Sequence, residues 1–352
     1  MPTDPADRAA TDSSSIDCAA LAAWCESSID GFRAPMVLEK FSVGQSNPTY
    51  LIRARSGNYV LRRKPPGTLL RSAHAVDREY HVMKALAGTD IPVPRMFALC
   101  EDDDVIGSMF FVMEYLEGRT LMDPALPGAT REQRRQLYEH QTRVLADLAR
   151  IDPAAVGLAD FGKPGNYLSR QISRWTRQYR ASETEHIPEM EHLIGWLPDH
   201  LPPDDGRAAL VHGDFRLDNL LIHPDRMEIV GVLDWELSTL GHPFVDFSYW
   251  STMLRLPRAT HHKGLTGLDR TALGIPGEQE LLALYRSRAN TKVPGDWNFW
   301  IAFHAFRFAA IVQGVMKRYL DGNASSADAV EVGRMAAPVA RLGWDAVMER
   351  ET

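Results

Sequence analysis

Short alternating runs of apolar and polar residues dominate the first 115 residues and predict a small, mostly antiparallel sheet. A helix at 16–29 precedes the strands. Turn residues separate the early strands, and Ser56-Gly57-Asn58 is typical of a tight hairpin turn. One amphipathic helix is inserted, because Val76, Tyr80, Met83 and Ala87 recur at spacings of three and four residues. The strands are expected at 36–44, 49–55, 58–63, 96–100 and 108–115.

The pattern changes to helical after a short polar crossing at 116–119. Leu137, Val144, Leu148 and Ile151 mark one face of a long amphipathic helix. We therefore predict an α+β protein with a β-rich N-lobe at 15–117 and a larger, mostly helical C-lobe at 118–352, after a polar, disordered tail at 1–14. Other helices are expected at 241–256, 279–288, 297–320 and 325–347, and a short β region at 210–211, 220–223 and 229–233.

Composition argues against a nucleic-acid-binding, disulfide-rich or membrane protein. The 352 residues carry a formal net charge of -7, so no global basic signature for nucleic acid is present. The three cysteines contain no CxxC pair, which favours reduced thiols over disulfides or a thiolate zinc site. The polar N-terminus does not resemble a signal peptide, and no stretch approaches the roughly 20 apolar residues of a membrane span. We expect a cytoplasmic protein with no nucleic-acid or membrane partner.

Charge is unevenly distributed along the chain. Residues 251–352 hold 13 lysines and arginines against 10 aspartates and glutamates, although the whole chain is acidic. Mixed charge on helix surfaces is one explanation. A preference for an acidic ligand is the other.

Two motifs carry the candidate chemistry. Residues 212–219 read His-Gly-Asp-Phe-Arg-Leu-Asp-Asn, and residues 232–236 read Val-Leu-Asp-Trp-Glu. Phosphoryl transfer needs a group that accepts a hydroxyl proton and metal ions that neutralise the phosphate oxygens. Asp214 suits the first role. Asn219 and Asp234 suit the second, because Mg²⁺ prefers few protein oxygens together with phosphates and water.

His-Gly-Asp-x-x-x-x-Asn followed by Val-x-Asp-Trp resembles the aminoglycoside phosphotransferase and choline kinase superfamily, relatives of the protein kinases. The resemblance covers about 30–260 and implies a two-lobed, protein-kinase-like fold that uses ATP and Mg²⁺. It implies that His212 braces the loop and that Asp246 is structural. Arg216 stands where one class of protein kinases has a lysine that touches the γ-phosphate; a guanidinium suits that anionic place. The pair His261-His262 has no third metal ligand nearby in sequence and is expected in a solvated loop.

The N-lobe is expected to hold the nucleotide. Gly44, Ser46 and Asn47 lie between two strands, where a glycine lets backbone N–H groups approach phosphates, although the same residues also suit a plain hairpin turn. Strand alternation places Val60 and Arg62 on one face.

The resemblance further implies that Val60 covers adenine and that Arg62 replaces the strand lysine of the kinases. It assigns Glu79 to hold that cation, although Asp77 stays open from the sequence. Glu114 and Tyr115 then lie at the hinge that contacts adenine.

Four segments resemble one branch of the superfamily, the kinase-like domain fused to certain acyl-CoA dehydrogenases. They are 41–50, 60–67, 74–80 and 112–118. This resemblance implies an acceptor of the hydroxyacyl-CoA class, notably 4-hydroxyacyl thioesters, and an acyl-CoA dehydrogenase as a functional partner. An aminoglycoside or another small alcohol or sugar is the alternative acceptor. A catalytically inactive pseudokinase is a further alternative, against which the intact Asp214, Asn219 and Asp234 set argues.

Overall fold

The structure is a computed structural model that describes residues 16–41, 47–65, 75–163, 165–323 and 328–351. The chain divides into two compact units. The smaller unit comprises Met1–Gly118 and Val230–Ser238, and the larger unit comprises Arg119–Ile229 and Thr239–Thr352. The predicted tail at 1–14, and Gly44 and Ser46 of the predicted phosphate loop, lie outside the described residues.

The smaller unit is built on a five-stranded antiparallel sheet with the order β1-β2-β3-β5-β4. Ala54 pairs with Gly57, so the tight turn between β2 and β3 is Arg55-Ser56, one residue earlier than expected. The elements are α1 (Cys18–Ser28), β1 (Met36–Lys40), β2 (Thr49–Ala54), β3 (Gly57–Arg63), α2 (Val76–Leu86), β4 (Met96–Cys100), α3 (Asp103–Ile106) and β5 (Phe110–Glu114).

Successive side chains of β3 point to opposite faces of the sheet, one of which packs in the core. Tyr59 and Leu61 lie in the buried cluster that includes Leu21 and Cys25 of α1. The alternate residues, Val60 and Arg62, therefore face the other side of the sheet. Asp17 begins α1 by accepting hydrogen bonds from two backbone N–H groups of the first turn.

The larger unit is mostly helical. Its first long helix starts with a capping box between Thr130 and Gln133, as the local sequence favours. Strand β6 pairs with β9, with Val211 opposite Thr239. Its elements are α4 (Arg131–Leu148), α5 (Tyr167–Ser182), α6 (Pro188–Asp199), β6 (Ala209–Val211), β7 (Leu220–Ile222), β9 (Thr239–Gly241), α7 (Phe244–Leu254), α8 (Arg270–Leu273), α9 (Glu278–Ala289), α10 (Trp297–Leu320), α11 (Ala329–Gly333) and α12 (Ala336–Glu351); strand β8 (Ile229–Val232) begins in this unit and ends in the smaller one.

Helix α10 lies at the centre of the larger unit, where it packs against α5, α6, α7 and α12. The sequence analysis expected no stretch of membrane-spanning length and composition. Helix α10, with 24 residues, is nevertheless long and apolar enough to cross a membrane by these two criteria. However, 78% of its most apolar window is buried inside the unit. A helix that is hydrophobic all round and buried in this way is typical of the core of a large domain.

The sequence pattern located most elements but missed four in the larger unit. Helix α5 is rich in arginine and buries only Ile172 and Tyr179, so its apolar face is too narrow to stand out. Helix α6, the four-residue helix α8 and the three-residue strand β9 were also missed. The single helix expected at 325–347 is divided into α11 and α12. The expected α+β class is confirmed.

We expect Leu21→Ala to destabilise the smaller unit, because Leu21 is fully buried between α1 and the sheet. The loss of buried methyl groups and the resulting cavity cost about 2–5 kcal/mol of the free energy of unfolding. Thermal and denaturant unfolding measure the change. Leu237→Ala is the matched control, since Leu237 of the same unit is 51% exposed. Equal effects of the two substitutions would contradict the packing described for α1.

Candidate active site

The predicted site residues fall into two groups, one in each unit, and each group is described by itself. In the larger unit, strand β6 leads directly into loop 212–219, which holds the His-Gly-Asp motif. Asp246, on the first turn of α7, accepts hydrogen bonds from the backbone N–H groups of His212 at 2.7 Å and Gly213 at 2.9 Å. Gly213 has a φ of 86°, which a side chain would strain. These contacts place the residue that follows, Asp214.

Both carboxylate oxygens of Asp214 are held. The hydroxyl of Tyr249 on α7 donates to Oδ1 at 2.7 Å, and Nε of Arg216 forms an ion pair with the same oxygen at 2.9 Å. The amide nitrogen of Asn219 donates to Oδ2 at 3.1 Å and to the backbone oxygen of Asp214 at 2.9 Å. The side chain is still 22% exposed. Asp214 is therefore oriented but accessible.

Opposing effects set the charge of Asp214. Burial raises its pKa, but the Arg216 guanidinium and the Tyr249 hydrogen bond, together with more distant cations, hold the pKa of this carboxyl below its usual range. Asp214 is consequently ionised at neutral pH and can accept a proton.

Asn219 uses its amide nitrogen as the donor, and its amide oxygen has no hydrogen-bond partner among the described residues. An amide oxygen of this kind is a suitable ligand for a hard cation. His212 is fully buried, and its Nδ1 accepts the backbone N–H of Asp214 at 3.2 Å. In this position the imidazole supports the loop.

Arg216 contacts three side chains inside the larger unit. Besides Asp214, it contacts Asp218 at 3.1 Å and His262 Nδ1 at 3.1 Å. Burial and the neighbouring Arg216 lower the pKa of His262 to about 4, so the neutral ring accepts this hydrogen bond. His262 is half-buried against Phe308. The expectation of a solvated histidine pair at 261–262 is therefore wrong for His262.

His242, which precedes α7, is buried. Its Nδ1 accepts the backbone N–H of Phe244, and burial lowers its pKa. The ring packs beside Trp300, in the wall of a cavity of about 110 Å³ whose lining includes none of the predicted site residues. The imidazole thus caps the start of α7 and is neutral.

The group in the smaller unit centres on Arg62 of β3. Its Nε lies 2.6 Å from Oε2 of Glu79 on α2, and its Nη2 lies 2.6 Å from Oδ1 of Asp234. The sequence left Asp77 and Glu79 open. The structure shows that Glu79 is the partner, with a side chain only 2% exposed. Asp234 has left-handed backbone angles, φ 66° and ψ 60°, a strain that clusters at functional sites.

Negative charge is in excess around Arg62. A third carboxylate, Glu236, accepts a hydrogen bond from the buried Asn47 at 3.2 Å and acts electrostatically on Arg62 and Glu79. Burial raises the pKa of Glu79 to about 7 against the attraction of Arg62, and Asp234 and Glu236 raise it further. Three carboxylates therefore surround one guanidinium.

The remaining N-lobe predictions lie on β3 and β5. Val60 is buried opposite Met113 in the register of the two strands. Glu114 ends β5, and its side chain accepts the backbone N–H of Arg95 at 3.1 Å; Tyr115 follows it. Val60 thus lies on the Arg62 face, and the two hinge residues begin the segment that leaves the sheet.

Two residues of the larger unit were missed from the sequence. Tyr249 lies three residues after Asp246, and helical spacing alone places both on one face of α7. Arg307 is a charged residue in the apolar run of α10, and it donates to the backbone oxygen of Gly213 at 3.1 Å. A lone cation in a buried helix is a sequence signal that could have been used.

Comparison with known proteins identifies the family. Residues 37–279 match the phosphotransferase enzyme family. The chain is 49% identical over 312 residues to mouse acyl-CoA dehydrogenase family member 10, covering 88% of this chain but 29% of that protein. It spans less than half the length of the curated relatives it matches most strongly.

Comparison with solved structures leads to the same family and fold. A Ralstonia eutropha protein provisionally named an aminoglycoside phosphotransferase has a TM-score of 0.88 and 48% identity, covering 95% of this chain and 99% of that one. Choline kinase from Cryptosporidium parvum shares the fold, with a TM-score of 0.63 and 13% identity, over 95% and 97% of the two chains. The family and the protein-kinase-like fold implied by the motifs are confirmed. This chain belongs to the phosphotransferase enzyme family and is a kinase-like small-molecule phosphotransferase.

Proposed function

We propose that this protein transfers the γ-phosphate of ATP to a hydroxyl group of a hydroxyacyl-CoA thioester, with 4-hydroxyacyl chains favoured. The observation that carries the phosphotransfer is the state of Asp214, an accessible, ionised carboxylate held by Tyr249 and Asn219. The reaction forms a bond between the acceptor oxygen and the γ-phosphorus and breaks the bond to ADP. Asp214 accepts the proton that the hydroxyl releases.

The residues around Asp214 have supporting roles in this proposal. Asp246 and His212 hold the backbone of loop 212–219. Arg216 keeps Asp214 ionised by its positive charge, and it is suited to the developing charge on the transferred phosphoryl group. These groups position Asp214 and keep it ionised, but they do not react themselves.

A divalent cation fits the residues of the smaller unit. Glu79 and Asp234 contact Arg62, and Glu236 acts on it electrostatically, so the carboxylates outnumber the guanidinium. We assign Asp234 as a ligand of Mg²⁺ in this unit, where the ion would neutralise phosphate oxygens. In the larger unit, the amide oxygen of Asn219 is the candidate metal ligand. Arg62, fixed by Glu79, then binds nucleotide phosphates, while Val60 and the hinge at Glu114 and Tyr115 contact adenine.

Two observations support a CoA thioester as the acceptor. The mouse relative is named as a member of the acyl-CoA dehydrogenase family, so a kinase-like segment and an acyl-CoA enzyme name occur in one polypeptide. Residues 251–352 also carry a positive balance, and CoA carries several phosphates. An acyl-CoA dehydrogenase is the functional partner that this proposal implies.

An aminoglycoside is the second candidate acceptor, because the solved protein with 48% identity carries that name. A polycationic acceptor requires an acidic binding surface. In the larger unit, however, Arg216 contacts Asp214 directly and Arg307 acts on it electrostatically from a greater distance. These two guanidinium groups are unfavourable for a polycation, and this favours the acyl-CoA proposal.

The acceptor is tested by ADP release with 4-hydroxypentanoyl-CoA, the free hydroxy acid, kanamycin and choline. We expect the thioester to give the highest kcat/KM, and its advantage to fall as salt screens the charged contacts. Asp214→Asn should reduce turnover about 100-fold or more, which ties the activity to this site. A comparable kcat/KM for the free acid would overturn the CoA proposal, and a preference for kanamycin would support the second candidate.

Removal of the Tyr249 hydroxyl should shift the pH profile. Tyr249→Phe deletes a hydrogen bond that lowers the pKa of Asp214, so that pKa rises and the base is lost at a higher pH than in the wild type. The acid limb of kcat/KM should move to higher pH. Tyr285→Phe is the control, since its buried hydroxyl donates to Pro243 instead. An unmoved acid limb with a reduced rate would limit Tyr249 to a structural role.

Asp234→Asn should weaken nucleotide binding only when metal is present. We expect the affinity for Mg·ATP to fall about 10-fold or more, while the affinity for metal-free ATP changes less because one repelling carboxylate is removed. Calorimetry with and without Mg²⁺ measures both. The exposed Asp90→Asn of the same unit serves as the control. If Asp234→Asn binds Mg·ATP as tightly as the wild type, Asp234 is not a metal ligand.

A further inference from the structure

Arg307 is an unusual residue for its position. It lies on α10 with only 8% of its surface exposed, in a helix whose neighbouring residues from Phe299 to Ala310 are buried. Burying a guanidinium is costly unless its charge and its N–H groups are compensated. Among the described residues, no carboxylate lies within ion-pair distance of Arg307.

Its hydrogen bonding is also incomplete. Nη2 donates to the backbone oxygen of Gly213 at 3.1 Å, but Nε and Nη1 are buried without a hydrogen-bond partner in the described part of the chain. Leaving a buried donor unsatisfied costs about 1–3 kcal/mol, and more for a charged group. Such groups in native proteins are generally satisfied by water or by a ligand.

The guanidinium is held in place by two aromatic rings. Its central carbon lies 5.8 Å from the ring centroid of Trp175 on α5 and 5.7 Å from that of Tyr249 on α7. The hydroxyl of the same Tyr249 donates to Asp214. One side chain therefore contacts both the candidate base, through its hydroxyl, and the unsatisfied guanidinium, through its ring.

These contacts restrict what a ligand of Arg307 can be. Its partner must offer an oxygen acceptor, because every polar atom of a guanidinium is a donor. The partner must also suit a fixed positive charge, which disfavours a polycation. A hydroxyl directed at Asp214 and an acyl oxygen a few bonds away along the same molecule satisfy both conditions.

We propose that Arg307 recognises the acceptor by donating a hydrogen bond to its acyl oxygen while the acceptor hydroxyl lies at Asp214. This assignment rests on the proposed function and extends it, since it names the residue that selects an acyl compound over an aminoglycoside. The acyl oxygen belongs either to a thioester or to a free carboxylate. Trp175 and Tyr249 act as positioning residues that hold the guanidinium plane.

The test compares two CoA compounds that differ only in the acyl oxygen. 4-Hydroxypentanoyl-CoA has the thioester carbonyl, and the thioether S-(4-hydroxypentyl)-CoA has none. We expect the wild type to prefer the thioester by about 10- to 100-fold in kcat/KM, the value of a hydrogen bond to a charged group. The free 4-hydroxy acid in a third assay distinguishes a carboxylate from a thioester as the source of the oxygen.

Arg307→Met should remove this preference, because it deletes the donors and keeps an unbranched apolar side chain. We expect the thioester-to-thioether ratio to fall to near one, with most of the loss on the thioester. Arg307→Lys should retain part of the ratio, since it keeps a positive donor. Arg341→Met, at an exposed arginine of α12, should leave the ratio unchanged.

The outcomes separate the two proposals. If the wild type phosphorylates neither CoA compound, the proposed function fails. If it phosphorylates both equally well, the hydroxyacyl-CoA activity stands but the role of Arg307 is overturned, and this result needs no variant. A uniform loss on both compounds in folded Arg307→Met, verified by circular dichroism and thermal unfolding, would likewise show that Arg307 only supports loop 212–219.

Discussion

A buried carboxylate determines the geometry of the larger unit's chemistry. Asp246 accepts the two backbone N–H groups of His212 and Gly213, and all eleven residues of the helix that carries it are buried. Since α7 cannot shift without disturbing the core, the loop backbone is held as rigidly as the helix. The carbonyl of Gly213 is bound in turn by Arg307. Both the N–H and the C=O groups at this turn are therefore fixed from the helical core.

Asp214 gains its properties from the same arrangement. Asp246 and Tyr249 are one helical turn apart on α7, so the helix that fixes the loop backbone also donates a hydrogen bond to the carboxylate. Arg216 adds a positive charge. Burial by itself would favour a protonated aspartic acid, and these two partners reverse that tendency. A reactive group that is both buried and ionised requires this kind of support.

In the smaller unit, the central electrostatic feature is a group of carboxylates around one arginine. Arg62 is attracted by three carboxylates, and one of them, Glu79, is nearly fully buried. The carboxylates outnumber Arg62, and burial raises the pKa of Glu79 to about 7, which reduces the negative charge of the cluster near neutral pH. The proposed function places Mg²⁺ and the nucleotide phosphates at this cluster, whereas in the larger unit Arg216 and Arg307 lower the pKa of Asp214.

The sequence by itself determined the fold class and the family, and it singled out the candidate site residues. Alternation along β3 placed Val60 and Arg62 on one face, and the spacing from His212 to Asn219 marked the loop, because local periodicity and motif spacing are properties of the chain. It did not decide between Asp77 and Glu79, and it gave no sign that His262 binds Arg216. These outcomes depend on residues distant in sequence. Likewise, only tertiary packing showed that Arg307 of α10 lies near the rings of Trp175 and Tyr249 with unsatisfied donors, since burial and hydrogen-bond partners are set by the assembled core and not by any one segment.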